Sequence, residues 1–118
     1  MAHARPPADR PLADLPPAVA DYVAANARLD ADGMLAAFAP QAVVLDDGGR
    51  HEGREQLKAW IRTAILDSRA IFTPESWRAE DGRIAVDGVT SGDFKGSPLR
   101  FTFRFQLEDG AIVALAIA

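Results

Sequence analysis

The chain has 118 residues, 48% hydrophobic and 25% charged, with a formal net charge of −4 at pH 7 and no cysteine. That length suits one domain with a single core. Disulfides, thiolate metal ligands and a redox pair are excluded, the mixed charge offers no basic stripe for nucleic acid, and no apolar run reaches the length of a membrane span.

The start, MAHARPPADRPLADLPP, contains no continuous apolar run of the kind a signal peptide needs, so a cytoplasmic protein is expected. Its richness in Pro, Ala, Arg and Asp predicts a mobile tail over 1–14 and one domain over 15–118. Pro16 and Pro17 suit the first turn of a helix, and Val19, Tyr22, Val23 and Leu29 follow at helical spacing. Asn26 lies one turn beyond Tyr22 on the same face. A buried amide must find partners, so this side is expected to border something polar. A second short helix is predicted from Asp32 to Ala39, capped by Asp30 or Asp32 and ended by Pro40, with Leu35 and Phe38 in the core.

Val43, Val44 and Leu45 read as a short strand that runs into Asp46, Asp47, Gly48 and Gly49. If the strand continues, alternation turns Asp46 to the side of Val44 and Asp47 to the other. Asp47-Gly48 is then a turn pair, and Asp46 is the carboxylate free to face a pocket. A third helix is predicted from about Arg54 to Asp67. Its apolar stripe is Leu57, Trp60, Ile61, Ala64 and Ile65, and Arg54, Lys58 and Arg62 form its solvated face.

Beyond Ser68 the period changes. Strands are predicted at about 70–79, 83–94, 98–108 and 111–117, separated by EDGR, KGSP and EDG. In LRFTFRFQL, residues Leu99, Phe101, Phe103, Phe105 and Leu107 share one face, and Arg100, Thr102, Arg104 and Gln106 share the other. The last segment, AIVALAIA, is apolar on both faces and predicts a strand covered on both sides. Helices followed by an antiparallel run of strands define an α+β pattern. Three N-terminal helices packed on a strongly bent antiparallel sheet would form a cone-shaped α+β barrel around a cavity.

The stretch DYVAANARLDADGMLAAFAPQAVVLDDGGRHEGREQLKAWI, residues 21–61, resembles the N-terminal half of the nuclear-transport-factor-2-like superfamily, in the style of SnoaL-like polyketide cyclases and ketosteroid isomerases. The shared pattern is a Tyr-bearing helix, then LDADGMLAAFAP, then a strand ending in Asp, then a Gly that opens a helix. The resemblance extends over roughly residues 16–117 and implies the cone-shaped fold, a small apolar molecule as partner, and a homodimer paired through the outer sheet face. That face is assigned to Val89, Arg100, Thr102 and Arg104. By the placement of catalytic groups in the isomerases, the resemblance implies Asp46 as a general base beside a carbonyl and Tyr22 as hydrogen-bond donor to the developing enolate. The isomerases' second donor falls at Phe101, which cannot donate.

Around that pair, Asn26, Val44, His51, Trp60, Phe101 and Phe103 are the candidates for contacting the substrate. Phe72, Trp77 and Phe105 are further aromatic residues for a cavity wall that is also the core. His51 with Asp46 makes at most two metal ligands, so no metal and no cofactor are expected. His51 is read either as a hairpin residue or as a hydrogen-bond partner of Asp46. No G-x-S-x-G element and no phosphate loop occurs. The functional alternatives are a cofactor-independent isomerase or cyclase and a ligand-binding or dimeric accessory domain without turnover. A third reading, an epoxide hydrolase, needs an arginine between two aspartates on the cavity face, and none is clearly placed there.

Overall fold

The structure is a computed structural model that describes residues 9–118. Three helices, α1 (Pro17–Ala27), α2 (Ala31–Ala36) and α3 (Arg54–Trp60), pack on one face of a curved sheet. Its strands are β1 (Phe38–Asp46), β2 (Gly49–Glu52), β3 (Ile71–Glu80), β4 (Arg83–Ser91), β5 (Leu99–Glu108) and β6 (Ala111–Ile117), in the spatial order β2-β1-β6-β5-β4-β3. The α+β cone of the sequence reading is therefore the observed fold. The sheet is mixed rather than wholly antiparallel, because β1 joins the last strand, β6, in parallel. Among the described residues no helix is long and apolar enough to cross a membrane.

The helices form where the apolar period and the caps agree. Pro17 opens α1, which buries Val19, Tyr22 and Asn26 at one-turn spacing. The helix stops at Ala27, and Leu29 takes a left-handed backbone with φ 52°, so Leu29 packs on the core from a turn rather than from the helix. Asp30 caps α2 by accepting from the Gly33 N–H at 3.0 Å. The predicted end of α2 at Pro40 is corrected: the helix ends at Ala36, and Pro40 lies exposed in β1. Proline fits there because the pairing of β1 with β6 shifts between Phe38 and Val43, where a missing N–H breaks no regular ladder. The third helix spans the predicted length in two forms. After Trp60 it continues as a π-helical segment, Ile61–Leu66, and Arg54, expected in solvent, donates to the Leu35 carbonyl at 3.0 Å.

Residues 1–8 of the expected tail lie outside the described residues. The rest of that segment is docked: the Arg10 N–H donates to the Trp77 carbonyl at 2.7 Å, and the Trp77 indole donates to the Pro11 carbonyl at 2.9 Å. The Arg10 guanidinium lies 5.1 Å from the Trp77 ring centroid. The polar composition of 1–14 hid this because Trp77 on β3 supplies the apolar partner.

On β5 the alternation holds, with Phe103 and Phe105 buried inward and Arg104 facing out. Val86, Phe105 and Leu115 on β4, β5 and β6 share one buried core with Val19 and Tyr22 of α1 and Leu57 and Trp60 of α3. Gly88 of β4 lies beside the Phe72 ring. A methyl group there would come within 2.9 Å of the Phe72 ring and 2.3 Å of the Thr73 carbonyl oxygen. Its absence leaves room for the Phe72 ring, which stacks on Phe103 with centroids 3.9 Å apart.

Candidate functional site

A cavity of about 580 Å³ opens between the inner sheet face and the helices. Its size is that of a pocket for one drug-sized organic molecule. The β1–β2 hairpin and α1 carry the two principal candidates to it, since both Asp46 and Tyr22 line this cavity. Asp46 is the last residue of β1, on the side of Val44 and level with Ile117 of β6. Asp47 and Gly48 follow with φ of 50° and 77°, the two positive values of a tight hairpin turn. Asp47 thus serves the turn, and its exposed side chain also reaches the cavity rim.

Tyr22 is 1% exposed. The edges of its ring contacts lie against Phe38 and Phe105, with centroids 5.7 and 5.8 Å away. Burial pushes its phenol well above the ordinary value, and the nearby negative charge of Asp46 adds to the shift. The hydroxyl is therefore held in its protonated, donating form.

Trp60 has a more specific place than a cavity wall. Its indole N–H donates to Asp46 Oδ2 at 3.0 Å. This bond holds one oxygen of the Asp46 carboxylate. The sequence offers no signal for it: the partners are separated by the hairpin and the first turns of α3, and a tryptophan on an apolar stripe reads as core. Phe101 and Phe103 both line the cavity.

Three candidates are placed differently. Val44 is fully buried behind the cavity wall and does not line it. His51 pairs with Val44 across the hairpin and packs at a tilt on Trp60, centroids 6.3 Å apart, outside the cavity lining. The hydrogen bond considered between His51 and Asp46 is replaced by the one from Trp60. Asn26 does line the cavity, yet its amide is taken up by the fold: Nδ2 donates to the Ala70 carbonyl at 3.0 Å, and Oδ1 accepts from the Phe72 N–H at 2.8 Å. The polar border expected for α1 is thus the start of β3. Trp77 and Phe105 pack in the core rather than on the cavity wall, whereas Phe72 lines it.

Sequence reasoning missed Thr90 of β4 and Phe94 of the β4–β5 loop, both of which line the cavity. Phe94 had one available signal, an aromatic residue inside the turn-rich stretch SGDFKGSP. Thr90 had none. Among the described residues no arginine lines the cavity, so these residues do not form the arrangement that an epoxide hydrolase requires. Among the described residues no group of three His, Cys, Asp or Glu side chains could hold a metal ion.

This fold matches a known class. The SnoaL-like domain family matches residues 19–115, and the chain belongs to that family. The chain is similar to a candidate polyketide cyclase from Sinorhizobium meliloti, with 34% identity over 90% of this chain and 97% of that one and a TM-score of 0.84. The same fold occurs in RV0760c from Mycobacterium tuberculosis, whose crystal structure holds estradiol-17beta-hemisuccinate, at 23% identity, 85% and 88% coverage and a TM-score of 0.73. It also occurs in a computationally designed 17-OHP binder, at 24% identity, 86% coverage of each chain and a TM-score of 0.72. No curated protein matches the chain.

Proposed function

We propose that this protein binds a flat, largely apolar carbonyl compound and moves a proton next to its carbonyl group, as a cofactor-independent isomerase or cyclase. The observation that carries the reading is the meeting of Asp46 and Tyr22 in one cavity, with Trp60 holding one carboxylate oxygen. In the proposed step, Asp46 Oδ1 takes the proton as the C–H bond breaks. The electron pair moves through the adjacent carbon onto the carbonyl oxygen, and the Tyr22 hydroxyl donates a hydrogen bond to the resulting enolate. Return of the proton to a different carbon gives isomerisation; attack of the enolate carbon on a second carbonyl of the same molecule, whose oxygen takes the π electron pair and then the proton from Asp46, gives cyclisation. The likeness to the Sinorhizobium candidate cyclase supports this class.

A second reading is a ligand-binding domain without turnover. It is favoured by Phe101, which lines the cavity where the isomerase resemblance places a second donor. Loss of one such donor weakens transition-state stabilisation by about 3 kcal/mol. Deuterium uptake from heavy water into androst-4-en-3-one, followed by NMR, separates the two readings. Uptake faster than in buffer is expected. A ligand that binds yet exchanges only at the buffer rate would put the binding reading first.

We also propose a homodimer through the outer face of the sheet. Val89, Arg100, Thr102 and Arg104 lie on that face, and Ala114 and Ala116 of the central strand β6 are half-buried there. The apolar character of β6 on both sides is explained if a second copy covers this surface.

A further inference from the structure

The polar groups on the cavity wall divide unevenly into donors and acceptors. Asp46 and Asp47 bring carboxylates, which only accept. Thr63 and Ser68 give their hydroxyl protons to the Ala59 carbonyl at 2.9 Å and the Ala64 carbonyl at 3.1 Å, so their oxygens are left as acceptors. The Trp60 indole N–H is spent on Asp46, and the Asn26 amide is spent on Met34, Ala70 and Phe72. The Thr90 hydroxyl oxygen is sealed from the open space. One free donor remains, the hydroxyl of Tyr22, which is buried, lines the cavity and has no hydrogen-bond partner among the described residues.

The wall is also one-signed. Two carboxylates line it and, among the described residues, no Lys, Arg or His does. Asp46 accepts from an uncharged indole, and among the described residues neither aspartate is in an ion pair. Arg62, Arg69 and Lys95 are next in the chain to lining residues, but they are exposed and do not line the cavity. Phe72, Phe94, Phe101 and Phe103 add aromatic surface, and the faces of such rings attract cations. This lining lacks hydrogen-bond donors and positive charge. An ammonium group on a ligand supplies both.

Position separates the two aspartates. Asp46 is half-buried and tied to Trp60. Asp47 is exposed, as is Thr63, three residues beyond Trp60 on the third helix, so these two mark the cavity mouth. A ligand that enters carbonyl first leaves its outer end there. We propose that the ligand is a flat carbonyl compound with a protonated amine at its outer end, and that Asp47 receives the ammonium group at the cavity mouth. The assignment rests on the reading of the cavity as a site for a carbonyl compound, with the carbonyl at Tyr22, but not on turnover. An ammonium group held by Asp47 leaves Asp46 unpaired and free to take a proton.

The test compares three 2-acetylnaphthalenes that differ only at position 6. One carries aminomethyl, a cation at neutral pH; one carries hydroxymethyl, which is neutral; one carries a carboxylate. Calorimetry on the wild type at low salt is expected to show the aminomethyl ketone bound about tenfold more tightly than the hydroxymethyl ketone, with the carboxylate weakest. Asp47→Asn, which suits the same turn, should bring the first two to within about twofold of each other. Equal affinities of cation and neutral ketone in the wild type, tightest binding of the carboxylate, an undiminished preference in Asp47→Asn, or binding of none of the three would overturn the assignment. The wild-type series needs no variant to fold. Deuterium uptake into the acetyl group of the hydroxymethyl ketone keeps the two readings apart. Uptake without an ammonium preference upholds proton transfer and removes the amine site, and a preference without uptake does the reverse.

Discussion

Tyr22 is the only tyrosine in the chain, so its titration can be read without interference. Its raised pKa, due first to burial and then to the charge of Asp46, has a definite sign for stability. The folded protein holds the phenolic proton more tightly than the unfolded chain does. This contribution is intact below the ordinary value of 10.0 and is lost as pH rises beyond it toward the folded value. An alkaline titration is expected to show tyrosinate absorbance appearing only together with loss of the far-ultraviolet circular dichroism signal. Tyrosinate forming near pH 10 in a folded protein would place the hydroxyl in water rather than in the cavity. Trp60→Phe keeps a ring on the apolar stripe but removes the donor to Asp46. Proton exchange should fall by about tenfold or more as the carboxylate loses its orientation, while the melting midpoint moves little. Unchanged exchange would show that the indole N–H does not position the base.

At the scale of elements, the local signals were legible where they were self-contained. The alternation of β5, the proline start of α1, the Asp30 cap and the Asp47-Gly48 turn all depend on neighbouring residues, and the structure has each of them. What could not be read depends on partners far along the chain. Asn26 contacts residues 44 and 46 positions away, and Pro40 is decided by an irregular pairing of β1 with the last strand. The candidate site divides the same way: Tyr22 and Asp46 follow from periodicity and resemblance, whereas the Trp60 tether and the outward displacement of His51 arise only when strands and helices close on one another. The N-terminal segment is the clearest case, because its composition suggests a free tail and Trp77 binds it. Deleting residues 2–12 removes the partner of the Trp77 indole N–H and the cation over its ring. A loss of about 1–2 kcal/mol is expected in chemical denaturation. An unchanged midpoint would show that water replaces these contacts fully.

At the scale of the molecule, the two faces of the sheet have separate tasks. The inner face holds the cavity, and the outer face holds a network in which Arg78 bridges Glu80 and Asp87 while Arg104 bonds Glu80 and Thr102 bonds Asp87. The Thr102 hydroxyl and then Arg78 hold Asp87 below its ordinary carboxylate range, and Arg104 and then Arg78 do the same for Glu80. Lowered carboxylate pKa values favour the folded state above the unfolded-chain range and lose that effect as pH falls through it. The pairs are partly exposed, so the effect on one chain is modest. A polar network that is already satisfied within one subunit can meet a second copy without leaving charges unpaired. Light scattering at micromolar concentration is expected to give twice the single-chain mass of 12.7 kDa. A mass near 12.7 kDa would leave the outer face of β6 without the partner proposed for it.

Asp46 is the group proposed to move the proton. Replacing it by asparagine keeps the shape of the side chain and can still accept from the Trp60 indole, but removes the base. Deuterium uptake into androst-4-en-3-one should fall to the buffer rate in Asp46→Asn, while the ketone still binds and the fold is retained. Asp46→Asn exchanging as fast as the wild type would show that another group moves the proton.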